Sequence, residues 1–162
     1  MTSDFFDLIE RLVKTGVDFV IVGGFAGVIH GCTYVTQDID ICCDFSVENL
    51  LRLQNAIVDL HPVHRMTPDR HKLELTEKNC KTFKNLYLDT DSGQLDCISF
   101  VDAIGDYQKV KEQSILVEAE GAEIRVLSID VLIESKRALN RPRDREIILQ
   151  LEAIKKLKNQ QP

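Results

Sequence analysis

None of the five cysteines falls in a Cys-x-x-Cys pair, and five is an odd number. That argues against a zinc site and a disulfide frame, so the thiols read as reduced. No charged-then-apolar leader opens the chain, and no apolar run approaches ~18 residues, the length a membrane span needs. The expectation is a cytoplasmic protein with no membrane partner. Positive charge is also scarce: 20 Lys and Arg stand against 26 Asp and Glu, for a net charge of −6. A generally basic nucleic-acid surface does not fit that balance, although local basic patches survive within it. There is no internal repeat and no low-complexity segment. Two phosphate-binding fingerprints are missing as well, Gly-x-Gly-x-x-Gly and Gly-Lys-Ser/Thr.

What is present is ordinary in bulk and informative in one stretch. The 162 residues are 44% hydrophobic and 28% charged, which suits one globular domain with a real core. From Phe19 the apolar run Phe19-Val20-Ile21-Val22 meets Gly23-Gly24, and the chain then reaches Asp38-Ile39-Asp40-Ile41. If 38–43 is a strand, Asp38 and Asp40 project from one face about 7 Å apart along it, while Ile39 and Ile41 enter the core. Two carboxylates on a half-buried strand repel each other and cost desolvation energy, so a cation is expected between them. An all-oxygen site of this kind suits Mg²⁺ or Mn²⁺.

In chain order, Ser3 is the expected cap of a helix over 3–15, and Gly16 ends it. Residues 18–22 form a strand, 25–31 a short helix, 38–43 the second strand, and Ser46 caps a helix over 47–60. The segment 61–82 reads as a loop rich in His and Arg with one short strand at 72–75. Strands at 86–89 and 95–100 join through Asp91-Ser92-Gly93, and 105–111 is a short helix. Strands at 114–119 and 123–126 form a hairpin about Gly121. Ser128 caps a helix over 129–140, and Pro142 opens a last helix reaching 157. The class is α/β (α+β): a mixed sheet flanked by helices, in a single domain over 1–162, with a core at about 17–127 and C-terminal helices at about 128–158.

Further residues could carry chemistry. Asp96 is an isolated carboxylate in the apolar strand Leu95-Asp96-Cys97-Ile98, and a neighbouring strand could bring it beside Asp38 and Asp40. It could equally be a turn residue near Gly93. Lys136 lies on the apolar stripe of its helix, where it either snorkels to water or reaches an anion in a cleft. Arg141, Arg143 and Arg145 add positive charge nearby. His61, His64 and His71 lack an i, i+4 pairing and read as surface groups rather than metal ligands. A dinucleotide-binding reading of Gly23-Gly24 fails because the acids fall inside the second strand, not at its end.

Gly23-Gly24, Thr36-Gln37-Asp38-Ile39-Asp40-Ile41, Leu95-Asp96-Cys97-Ile98, and Leu132-Ile133-Glu134-Ser135-Lys136 with Arg141-Pro142-Arg143-Asp144 occur in a specific order and spacing. Over roughly Val17 to Leu151 the chain resembles the minimal bacterial nucleotidyltransferases of the DNA polymerase β-like superfamily, which include MNT-type antitoxins and abortive-infection toxins. The resemblance implies an Mg²⁺-dependent enzyme that moves a nucleoside monophosphate from a nucleoside triphosphate such as ATP to a hydroxyl acceptor, releasing pyrophosphate. The acceptor would be a protein, a tRNA or a small molecule. It further implies that Asp38, Asp40 and Asp96 hold metal and catalyse, and that Gly23, Gly24, Thr36 and Lys136 bind the nucleotide. One departure stands out. Relatives often carry arginine four residues before the first aspartate, where this chain has Tyr34. Either Lys136 or the 141–145 arginines compensate, or nucleotide binding is weakened. The alternative is a catalytically weak nucleotide-binding or partner-binding module, such as an antitoxin with a toxin partner.

Overall fold

A computed structural model of the chain describes residues 2–160, with side chains from residue 4 onward. Helix α1 (Thr2–Lys14) buries Phe5, Leu8, Ile9 and Leu12 along one stripe. The side chain of Ser3, its expected cap, lies outside the described residues, and position 3 falls within the helix. Strand β1 (Phe19–Val22) is buried throughout and runs directly into α2 (Gly23–His30). The helix therefore begins at the glycine pair itself, which the sequence assigns to the turn before a helix at 25–31.

Strand β2 (Asp38–Cys43) occupies the expected span, and α3 (Val47–Ile57) continues as one 3-10 turn, Val58–Leu60. Ser46 caps α3 by accepting from the Asn49 amide at 3.2 Å. The expected strand at 72–75 does not form. The sheet edge is instead β3 (Val63–His64), which Lys72 meets in a single bridge. Gln54 of α3 takes the backbone groups of Leu75 that a ladder would use, accepting from its N–H at 2.5 Å and donating to its carbonyl at 3.2 Å. That contact fastens the segment to a helix rather than to a strand.

Strands β4 (Asn85–Thr90) and β5 (Gly93–Ile98) form a hairpin, and β5 stops at Ile98. Beyond Ser99 a separate two-stranded ribbon pairs β6 (Phe100–Val101) with β7 (Gly105–Asp106), leading into α4 (Tyr107–Glu112). The hairpin of β8 (Ser114–Ala119) and β9 (Ala122–Leu127) turns through Glu120 and Gly121, both at positive φ (52° and 80°), as a type I′ turn requires. Ser128 caps α5 (Ile129–Leu139). Pro142 opens a 3-10 turn, Pro142–Asp144, and α6 (Arg145–Asn159) starts only after it.

Seven strands form one mixed sheet in the order β3-β4-β5-β2-β1-β9-β8, with the helices packed around it as expected of an α/β chain. The register is what builds the site. Strand β1 is antiparallel to β2 with Val22 opposite Asp40, and β2 is parallel to β5 with Asp40 opposite Asp96. Strand β4 then places Tyr87 opposite Asp96. Val22, Asp40, Asp96 and Tyr87 thus form one row on one face, ending where α2 begins. The alternate residues Ile39, Ile41, Leu95 and Cys97 are fully buried on the other face.

Among the described residues, no helix is long and apolar enough to cross a membrane.

Candidate metal centre and cleft

Carboxylate oxygens of Asp38, Asp40 and Asp96 lie within 4.8 Å of one another. The period of two along β2 turns both of its acids to one face, and the parallel pairing with β5 sets Asp96 beside them. Asp96 is therefore a mid-strand residue on the sheet face, not a turn residue of the Gly93 hairpin.

Crowding leaves a clear electrostatic mark. Burial, with the charges of Asp38 and Asp96 added, pushes the Asp40 carboxyl up to about 7, although Lys136 and Arg65 pull the other way. Burial likewise raises Asp96 to about 6, opposed chiefly by Arg65. The Arg65 Nη2 lies 2.7 Å from Asp96 Oδ1, an ion pair whose angle leaves this buried oxygen without an aligned hydrogen bond. Three all-oxygen ligands that repel each other, one with an unsatisfied buried oxygen, fit a hard divalent cation such as Mg²⁺ or Mn²⁺. No other group of three or more His, Cys, Asp or Glu among the described residues is arranged to hold a metal.

The glycine pair is fitted around the acids. Gly23 has φ +65°, and a Cβ added there would overlap the Asp40 carboxylate. A Cβ on Gly24 would come to 3.2 Å from Thr36 Oγ1. Thr36 donates that hydroxyl to the Asp38 carbonyl at 3.0 Å, so its side chain braces the strand entry. The amides of Gly23 and Gly24 start α2, where first-turn N–H groups have no partner within the helix.

A cleft of about 510 Å³ opens beside this row, lined by Val22, Gly23, Asp40, Tyr87, Lys136 and Arg141, among others. Lys136 does not snorkel to water: it is 5% exposed, with Nζ 3.5 Å from Asp144 Oδ1. The other Asp144 oxygen accepts from Arg141 Nε at 2.6 Å. Burial would raise the Asp144 carboxyl, but these two cations outweigh it and hold it below the usual range. Of the three arginines in the 141–145 turn, only Arg141 lines the cleft, while Arg143 and Arg145 are exposed.

Tyr34 is occupied elsewhere, its hydroxyl donating to the Gly24 carbonyl. The cation that pairs with the acids comes instead from Arg65, in the His/Arg-rich segment 61–82. The histidines form no shared ligand group: His61 pairs with Asp91 at 2.6 Å, while His64 donates its amide to the His71 carbonyl at 2.8 Å and stacks its ring on Phe83 with centroids 5.7 Å apart. Cys42 and Cys97 are fully buried, as expected of small core residues.

No protein-family model matches the chain, and comparison with curated proteins gives no match either. Solved structures do match. The lincosamide antibiotic adenylyltransferase LnuA, solved with lincomycin bound, aligns with a TM-score of 0.65 and 16% identity over 95% of this chain and 98% of that one. The solution structure of the antibiotic-resistance factor ANT(2'')-Ia aligns with a TM-score of 0.58 and 16% identity, over 94% of this chain and 80% of that one. The crystal structure of ANT(2'')-Ia with adenylyl-2''-tobramycin gives 0.56 and 16%, over 98% and 96%. The chain has the nucleotidyltransferase fold.

Proposed function

We propose that the chain is a divalent-metal-dependent nucleotidyltransferase that moves a nucleoside monophosphate from a nucleoside triphosphate to a hydroxyl acceptor. The observation that carries this reading is the convergence of Asp38, Asp40 and Asp96 within 4.8 Å, in the row that ends at the start of α2. Asp38 and Asp40 would hold the ion together with Asp96. When bound, the ion supplies Lewis-acid stabilisation of charge on the phosphate oxygens.

The chain's own groups account for the rest. The Gly23 and Gly24 amides, at the start of α2 and without partners inside the helix, cradle phosphate oxygens. Lys136 and Arg141 line the same cleft and offset phosphate charge. Asp96 accepts the acceptor's hydroxyl proton. The acceptor oxygen then bonds to the α-phosphorus, the bond from that phosphorus to the bridging oxygen breaks, and pyrophosphate leaves.

The neighbours LnuA and ANT(2'')-Ia make ATP the first donor to try and a small hydroxyl compound the first acceptor class, ahead of a protein or a tRNA. A cleft of about 510 Å³ is in the size range of small-molecule sites. The alternative, a partner-binding module such as an antitoxin, gives no reason to keep three buried-side carboxylates within reach of one ion.

Calorimetric titration with each nucleoside triphosphate, with and without Mg²⁺, tests the reading. Mg²⁺-dependent binding of at least one triphosphate is expected. Absent or metal-independent binding overturns it.

A further inference from the structure

Arg65 is built into the carboxylate cluster from an unexpected direction. It follows β3 at the sheet edge, and its side chain crosses β4 to reach β5. Three contacts fix that path. The Arg65 amide donates to the Tyr87 carbonyl at 2.8 Å, and Nη1 donates to the Leu88 carbonyl at 3.3 Å. The guanidinium carbon lies 6.0 Å from the centre of the Tyr87 ring, within cation–π range. The side chain is only 19% exposed. Its other terminal nitrogen, Nη2, is the one 2.7 Å from Asp96 Oδ1.

Three carboxylates with ligand atoms within 4.8 Å of one another can neutralise more than one divalent ion. Here a fixed positive charge already stands on the Asp96 side. A cation arriving between Asp40 and Asp96 must meet the guanidinium at close range, where like charges repel strongly. Among the described residues no cation forms an ion pair with Asp38 or Asp40: Lys136, whose charge favours the Asp40 carboxylate from farther off, is paired with Asp144.

We propose that Arg65 is the resident counter-cation of the cluster, a positioning residue that excludes a second divalent ion until nucleotide is bound. The cluster then takes one ion on the Asp38–Asp40 side in the absence of nucleotide. Loading of the Asp96 side requires the guanidinium to move off Oδ1, where it is free to meet a phosphate oxygen. This rests on the functional reading above and assigns the missing positive charge at Tyr34 to a residue on the opposite side of the site.

The test is direct binding of Mn²⁺ to the full chain at pH 8 without nucleotide, read from the paramagnetic resonance signal of free Mn²⁺. Wild type is expected to bind one equivalent. Arg65→Gln is expected to bind two, or to bind the first about tenfold more tightly, because a repelling charge is gone. Arg65→Lys, which keeps the charge, should restore the wild-type value. A merely structural ion pair predicts weaker or unchanged Mn²⁺ binding in Arg65→Gln, and either result overturns the proposal. Two equivalents of similar affinity in wild type overturn it as well, whatever the variants do. If neither wild type nor Arg65→Gln binds Mn²⁺, or if Asp40→Asn leaves Mn²⁺ uptake intact, the metal site itself is misassigned and the functional reading falls with it.

Discussion

Gly23 and Asp40 are fitted to one another. The glycine sits at φ +65° on the first residue of α2, and a Cβ in that place would overlap the carboxylate across the β1–β2 ladder. Backbone conformation and site geometry therefore ask for the same residue. Gly16 offers a control, because it has φ +77° with nothing within 4 Å of its added Cβ. Gly16→Ala is expected to cost about 1 kcal/mol, the price of a side chain in the left-handed region. Gly23→Ala should cost roughly 2–3 kcal/mol and also weaken divalent-ion binding, because Asp40 must move. Urea unfolding and Mn²⁺ titration measure both. Equal costs with ion binding untouched would separate Gly23 from the acids.

The two acids of β2 carry the sharpest functional prediction. Asp38→Asn and Asp40→Asn keep the size of each side chain and remove one negative charge from a repelling group. Each variant should keep the wild-type circular dichroism spectrum while losing Mg²⁺-dependent triphosphate binding by about a hundredfold or more. Transfer of label from a triphosphate as efficient as in wild type would show that the chemistry lies elsewhere.

Much of this was legible in the sequence, and the missing parts have physical reasons. Alternation in Asp38-Ile39-Asp40-Ile41 announces which face each side chain takes, so β2 and its acids could be read locally. Asp96 was readable only as an isolated carboxylate, because its neighbour depends on parallel pairing of β2 with β5 across a long stretch of chain. Lys136 on an apolar stripe signalled an inward cation, but its partner Asp144 lies across a turn and shows no periodicity. Arg65 was hidden more deeply. It belongs to a two-residue edge strand's exit, where no pattern forms, and its target lies two strands away. The loss of a strand at 72–75 has the same origin, since a single helix side chain, Gln54, captured the backbone of Leu75.

Stability of the ion-free protein should fall as pH rises. The Asp40 carboxyl stands at about 7 in the folded chain, against 3.8 for an unperturbed aspartate. Asp96 is raised in the same direction, to about 6. Between those values the folded state binds more protons than the unfolded state, so unfolding becomes easier with increasing pH. The stabilisation is complete below about pH 4 and is lost as pH passes through about 7. Urea midpoints without divalent ions should therefore decline from pH 5 to pH 8, by on the order of a few kcal/mol in unfolding free energy. Asp40→Asn should flatten that slope and raise the midpoint at pH 8. Saturating Mg²⁺ at pH 8 should do the same for wild type, because ion binding favours the ionised folded state. A midpoint that rises with pH in the ion-free protein would contradict the electrostatics of the cluster.

Lys136 separates a phosphate contact from a structural ion pair. Its ammonium is buried and 3.5 Å from Asp144, a loose distance for a charge pair, whereas Arg141 holds the same carboxylate at 2.6 Å. Lys136→Met therefore leaves Asp144 paired and removes a buried charge of similar length, so the fold should survive with little change in urea midpoint. If the ammonium serves phosphates, triphosphate affinity should drop about tenfold or more while affinity for the bare nucleoside stays the same. The same substitution removes a cation that lowers the Asp40 carboxyl, so the pH at which Mn²⁺ binding sets in should move upward. A large loss of stability with no change in the triphosphate-to-nucleoside ratio would make Lys136 a structural partner of Asp144. An altered ratio with a preserved fold would place it on the phosphates, because only a group facing the cleft can tell the two ligands apart.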